Sequence, residues 1–353
     1  MANTPVAHGV HMVARLKKIY VFALILAVLG NSPASSEIIY KSEKVEVRKA
    51  PESWYRGAKD RNIAVLRLGQ QVILVDPGVE TWFGLLVETY PVIDQAWITH
   101  AHPDHAALAR KLQRERGARI LSSEEAAKLL RRPGAFLQGE YETAGTFKNQ
   151  ILPRLLRPFM PLFLRVAYGP WSSVEVDATF ERLGMRVEGA EVIRLPGHTS
   201  GSVGFVVADQ TITSLVIGDV IQKRGGKFIF SMNLPSADLD SCLVSASRLL
   251  GIRPDVLIPA HGDIVQDASS VETGLHTLID EYKSYRDAIG AFLAERQFLP
   301  TIAHIEKEVP FGWPDAFRPS FTQRRTTVYA VLKSLASEGR LPHRISDDLS
   351  REC

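Results

Sequence analysis

Residues 95–105 read QAWITHAHPDH, an apolar run that enters three histidines and an aspartate within six positions, His100 to His105. Few folds accept such a run at the end of a buried strand. Imidazoles and carboxylates taken out of water without partners cost several kcal/mol, on the order of 2–7 for each polar group. A shared cation removes the problem, because imidazole offers a neutral nitrogen lone pair to borderline metals and a carboxylate supplies compensating charge. Alternate positions 100 and 102 can converge on one ion, while Asp104 and His105, in the turn that enters the next helix, can reach a second. The run therefore points to a layered α/β chain whose chemistry sits where strands give way to loops.

The flanking sequence alternates as such a fold requires. NIAVLRLGQQVILVDPG (62–78) reads as a hairpin of two β-branched strands, turning at Gly69-Gln70-Gln71 and closing in Asp76-Pro77-Gly78. GLLVETYP reads as a helix, HAALARKLQRERG as an amphipathic helix closed by Gly117, and ARILSS as a strand. The pattern then recurs: AEVIRLPGH is a strand, GSVGFVVADQTITSLVIGD a hairpin, LDSCLVSASRLLG a helix and DVLIPAHGD a strand. Two such halves predict two sheets packed face to face with helices outside. Three more candidate ligands stand at strand ends, His198, Asp219 and His261. His8, His11, His276, His304 and His343 are isolated and read as surface or hydrogen-bonded residues. GHTSGS (197–202) lacks the G-x-S-x-G pattern of a serine-hydrolase elbow and reads as a ligand loop.

With its HxHxDH run, later histidine, aspartate and final histidine all present, the chain resembles the metallo-β-lactamase superfamily over roughly residues 60–265. The resemblance implies a four-layer αβ/βα sandwich. It assigns His100, His102 and His198 to one metal ion, Asp104, His105 and His261 to a second, and Asp219 as the bridge between them. Asp76 matches the aspartate that supports the site from outside the ligand set, in keeping with the outer carboxylates that orient metal-bound imidazoles. The implied cofactor is a pair of divalent ions, zinc first. Two ions sharing a water lower its pKa towards neutrality, so the expected activity is hydrolysis of a small-molecule ester, lactone, thioester or amide by a metal-bridging hydroxide. Asp104 is the expected catalytic residue, orienting the nucleophile or shuttling a proton. Aspartate at 219 argues against a true β-lactamase, which resembles this chain in the histidines but carries cysteine or serine there. Glyoxalase II and related thioesterases share all seven ligands, although their basic glutathione-binding residues are not recognisable here. Two alternatives are kept. A persulfide dioxygenase would use one iron at His100, His102 and Asp219 or near neighbours, which the furnished second set disfavours, and a nucleic-acid phosphodiesterase would use a winged-helix-like tail.

Composition bounds the rest. At 353 residues, 45% hydrophobic and 23% charged, the chain can bury one large core, and a net charge of +3 gives no case for nucleic acid as a partner. With two cysteines, Cys242 and Cys353, neither a disulfide framework nor a thiolate cluster is indicated. Arg15, Lys17 and Lys18 precede the apolar run IYVFALILAVLG and the small residues Ser32 and Ala34, the layout of a secretory signal peptide over residues 1–36. The expected location is periplasmic or extracellular, with an uncleaved membrane anchor as the alternative. The expected organisation is a catalytic domain over 37–270, interrupted by an insertion at about 131–183, and a helical or winged-helix-like appendage over 271–353. Within the insertion, ILPRLLRPFMPLFLRVAYGPW (151–171) is apolar and basic with four prolines. It reads as a wall of the substrate entrance, a membrane-surface contact, or plain core packing.

Overall fold

The computed structural model describes residues 36–50, 60–134, 171–314, 319 and 321–342. All but the last residue of the expected signal segment 1–36 and of the apolar stretch 151–171 lie outside them. Strands begin earlier than the sequence reading placed them: Ile38–Lys41 (β1) pairs antiparallel with Val45–Lys49 (β2), which adds to the expected hairpin of Asn62–Leu68 (β3) and Gln71–Val75 (β4). Gln95–Ile98 (β5), Arg119–Ser122 (β6) and Ala178–Thr179 (β7) add in parallel and complete a seven-stranded sheet in sequential order. The second sheet takes Arg186–Val187 (β8), Ala190–Arg194 (β9), Val203–Asp209 (β10) and Ile212–Val216 (β11). A separate hairpin follows, Ile221–Arg224 (β12) with Lys227–Phe230 (β13), turning through Gly225-Gly226, and was not read from the sequence. Val256–Ile258 (β14) then joins the second sheet parallel to β11, giving the order β14-β11-β10-β9-β8.

Period-two alternation sorts these strands into four layers. Ala64, Leu66, Ile73, Val75, Trp97 and Leu121 of the first sheet face Val192, Val203, Phe205, Val216, Val256 and Ile258 of the second in one buried cluster. Trp97 sits at its centre, fully buried, 5.9 Å from the Phe180 ring and 5.0 Å from that of Phe205, with its indole N–H given to Gln95 Oε1 at 2.9 Å. Each such phenylalanine contributes about 1.5–3 kcal/mol by burial. The opposite face of the first sheet, Ile63, Val65, Leu74, Ala96, Ile98 and Ile120, packs on Phe83–Thr89 (α1), Ala109–Arg116 (α3) and Glu124–Leu130 (α4). Between α1 and α3 lies the single turn Pro103–Ala106 (α2). The outer face of the second sheet, Ile193, Leu195, Leu215, Ile217 and Leu257, packs on Leu239–Ile252 (α5) and Ala268–Ala294 (α6). Ile302–Glu308 (α7) and Phe321–Ser337 (α8) join the same apolar cluster through Ile305, Val328, Val331, Leu332 and Leu335. Among the described residues of the C-terminal region the regular elements are all helices, and α6 runs through position 270 without a break. Among the described residues no helix is long and apolar enough to cross a membrane.

The helix expected from His105 to Gly117 is in fact two. A continuous helix would give the Leu108 N–H to the Asp104 carbonyl. Here it bonds Gly78 O at 2.8 Å, while Gly78 N–H returns a bond to His105 O at 3.1 Å. The Asp76-Pro77-Gly78 turn has intruded on the helix. Its consequence is that Asp104 and His105 sit on an isolated turn locked to the end of β4, and α3 closes at Gly117 in a left-handed cap, φ 68°.

Candidate metal centre

The candidate ligands stand after strand ends, or in the helical turn that follows one, at the same edge of the sandwich. Asp76 follows β4, His100 and His102 follow β5, Asp104 and His105 occupy α2, His198 follows β9, Asp219 follows β11 and His261 follows β14. All eight side chains are buried. His100 and His105 have no exposure, whereas His102 (7 %) and Asp104 (8 %) keep some, so the cluster is reached from the side of the latter pair.

Asp76 organises the interior. Held at φ 51°, its Oδ1 accepts the Thr99 N–H at 2.8 Å, and its Oδ2 accepts the Thr99 hydroxyl at 2.6 Å and His105 Nδ1–H at 2.8 Å. Since the Thr99 proton is committed to Asp76, Thr99 Oγ1 must accept from His100 Nδ1–H, 3.0 Å away. His198 Nδ1–H is given to the Ser231 carbonyl. These bonds fix the tautomers and leave Nε2 of both His100 and His198 as bare lone pairs. The two atoms nevertheless face each other at 3.2 Å, each also 2.9 Å from His102 Nδ1. Lone pairs converging without a proton between them repel unless a cation sits among them. A tetrahedral ion with bonds of about 2.0–2.1 Å spaces its ligands by roughly 3.3 Å, close to this triangle.

A second trio lies beside the first. Asp104 Oδ2 is 3.2 Å from His261 Nε2 and 3.5 Å from His105 Nε2, and the latter atom has no hydrogen-bond partner. Asp219 connects the two trios: its Oδ2 is 3.5 Å from His105 Nε2, 3.7 Å from His261 Nε2 and 3.7 Å from His198 Nε2, and its Oδ1 is buried without a partner. Metal-competent groupings therefore exist at His100, His102 and His198 and at Asp104, His105 and His261. Asp76 also falls within reach of His100 and His105. Its oxygens are already taken up by Thr99 and by the protonated nitrogen of His105, which makes it an orienting carboxylate.

Electrostatics sharpen the distinction. Burial, and then the neighbouring imidazoles His105, His102 and His198, hold His100 well below the ordinary imidazole range. Burial and His198 push His102 down to about 3, and burial lowers His198 as well. Burial thus favours the neutral imidazole in all three, the form a metal needs. His105 goes the other way. Burial and the Arg61 guanidinium press it down, but the carboxylates of Asp104, Asp219 and Asp76 prevail and hold it up to about 9. Burial disfavours the Asp104 and Asp219 carboxylates, yet the surrounding imidazoles, together with Arg61 at Asp104, keep both well below the usual carboxylate range. A cluster that draws a proton onto His105 to balance its carboxylates is short of positive charge, which a divalent ion would supply.

The structure thus brings together all eight residues expected from the sequence. It adds three that sequence reading did not single out: Thr99, which relays Asp76 to His100; Ser231, whose carbonyl orients His198; and Arg61, buried beneath Asp104. Thr99 heads the motif and could have been found there. A backbone carbonyl 33 residues from its histidine leaves no trace in sequence.

The model of the family described as "Metallo-beta-lactamase superfamily" matches residues 56–261. Among curated relatives, the chain is 26% identical over 208 residues to a protein of Methanocaldococcus jannaschii described as a "Probable metallo-hydrolase", covering 56% of this chain and 86% of that protein. It is 27% identical over 199 residues to the hydroxyacylglutathione hydrolase GloC of Haemophilus influenzae, covering 54% of this chain and 79% of that protein. Among solved structures, a beta-lactamase domain protein from Burkholderia ambifaria superposes with a TM-score of 0.62 at 18% identity, covering 88% of this chain and 92% of the other. A metallo-beta-lactamase family protein from Thermus thermophilus gives 0.59 at 19%, covering 84% and 95%. At these identities the structures speak for the fold.

Proposed function

This chain belongs to the metallo-beta-lactamase superfamily, and from that premise we propose that it is a hydrolase working with two divalent ions, zinc first, on a small-molecule ester, lactone, thioester or amide. The observation that carries the reading is Asp219 Oδ2, within 3.7 Å of ligand atoms in both trios. When bound, the ions supply Lewis acidity towards a carbonyl oxygen and a water of lowered pKa. The chain's own residues do the rest. His100, His102 and His198 would hold one ion with lone pairs already aimed, and Asp104, His105 and His261 would hold the other. Asp76 keeps the His105 and His100 rings from turning. Asp104, kept ionised beside the second position, is placed to orient an incoming water by accepting its hydrogen bond. The hydroxyacylglutathione hydrolase among the relatives gives thioesters a place beside esters and lactones in the substrate panel.

The test is elemental analysis of purified chain together with hydrolysis of lactones, esters, thioesters, β-lactams and phosphodiesters. About two divalent ions per chain are expected, with cleavage of a carbonyl substrate that chelation abolishes. A single tightly held iron with oxygen uptake, or phosphodiester cleavage alone, would overturn the proposal.

We also propose export, on the strength of the basic, apolar and small-residue succession from Arg15 to Ala34. Mass spectrometry of the chain from its native host is expected to find a new N-terminus near Ser35 or Glu37. An intact chain in the cytoplasm refutes export, and an intact chain in the membrane fraction points to an anchor.

A further inference from the structure

Arg61 immediately precedes β3, bridges backbone to backbone with His261, and has no exposure at all. A guanidinium carries five N–H donors. Here Nη2 donates to the Asp76 carbonyl at 3.1 Å, while Nε and Nη1 have no hydrogen-bond acceptor. Nη1 lies 4.0 Å from Asp104 Oδ2, and the cation stands 5.8 Å from the Trp82 ring centroid. A buried cation so poorly paired is expensive to keep. Its position suggests what keeps it. The nearby carboxylate oxygen is the one that also faces His261 Nε2 at 3.2 Å and His105 Nε2 at 3.5 Å.

We infer that Arg61 is a built-in counter-charge to the ion position formed by Asp104, His105 and His261, weakening that position for a divalent cation while leaving the His100, His102 and His198 position alone. The inference rests on the metal-centre reading above. In the ion-free chain the guanidinium offsets part of the negative charge of Asp104. Once a dication is held by Asp104, the same fixed charge repels it across a few ångströms of interior, where screening is weak. The influence is local. Arg61 Nη1 stands 4.0 Å from Asp104 Oδ2, an oxygen that belongs to the second trio alone, and Nη2 gives its hydrogen bond to the Asp76 carbonyl. The two positions are therefore unequal: one made of three neutral imidazoles, the other sharing its own carboxylate with a buried cation.

Stepwise titration of the full ion-free chain with Co2+, followed by native mass spectrometry and visible absorption, tests this. Wild type should load in two steps, the second weaker by about tenfold or more. Arg61→Gln, which keeps a donor for the Asp76 carbonyl, and Arg61→Met should both tighten the second step by about tenfold and leave the first within about twofold. Both should lower the Tm of the ion-free chain more than that of the loaded chain. A second step unchanged or weakened in the variants overturns the inference, since Arg61 would then only position Asp104. If neither variant folds, wild type still decides, because uptake of both ions in one step of equal affinity also overturns it. A chain that loads Co2+ unequally but hydrolyses nothing keeps this inference and loses the proposed activity. Absence of any Co2+ uptake removes both.

Discussion

Asp219→Ala is expected to lose at least one bound ion and to lower kcat/KM by about a hundredfold or more. Outer carboxylates of metal sites are worth about 10–100-fold, and Asp219 reaches the ligand atoms themselves. Its Oδ2 stands 3.5–3.7 Å from Nε2 of His105, His261 and His198, so one deletion removes the anion common to both trios. Asp219→Asn separates charge from shape: it preserves the volume at the end of β11 yet removes the negative charge, and should fall nearly as far. Elemental analysis and steady-state kinetics on the best substrate of the panel supply the reading. Full two-ion content and an unchanged rate in both variants would show that the carboxylate is an internal hydrogen-bonding group.

Gly197→Ala is expected to destabilise the chain by about 2–5 kcal/mol and to strip the first ion position. Gly197 lies at φ 132°, a conformation that side chains rarely adopt. An added Cβ would lie 2.5 Å from Cys242 Sγ, 2.6 Å from Cys242 N and 2.7 Å from Cys242 Cα. The helix cannot yield, because α5 is tied to this turn: Asp238 N–H bonds Gly197 O at 2.8 Å and the Ser245 hydroxyl bonds Pro196 O at 2.6 Å. The strain therefore passes to the next residue, His198. Thermal unfolding and ion content measure both effects. Cys242→Ala in the same chain should rescue little, since two of the three overlaps are with backbone. A Gly197→Ala protein with the Tm and ion content of wild type would mean that the turn and α5 separate easily.

Much of this site was legible before any fold was known. His100, His102, Asp104 and His105 are neighbours in sequence, and a strand end followed by a helical turn fans them out without help from distant residues. His198, Asp219 and His261 each stand after an apolar run, where side chains leave a sheet. Asp76 was found through family resemblance, and its physical work, two bonds to Thr99 and one to His105, became visible only in three dimensions. The overlooked β12–β13 hairpin shows the opposite case. Its Gly225-Gly226 turn is a strong local signal, but strands reading IQKR and KFIF carry too little apolar alternation to stand out.

By itself the sequence determined what depends on near neighbours: the alternation that splits each strand between two cores, the caps that end helices, and the spacing that lets one short loop contribute to both trios. Tertiary structure decided what depends on long-range encounters. The break at Leu108 exists because the Gly78 carbonyl competes for its N–H, and the His198 tautomer exists because Ser231 presents a carbonyl. Arg61 is the clearest instance. In sequence it is a charged residue flanking a strand, which ordinarily stays in water. Only the closing of β3 against the His261 loop takes it out of solvent and sets it 4.0 Å from Asp104, where low local screening turns one positive charge into a determinant of the site.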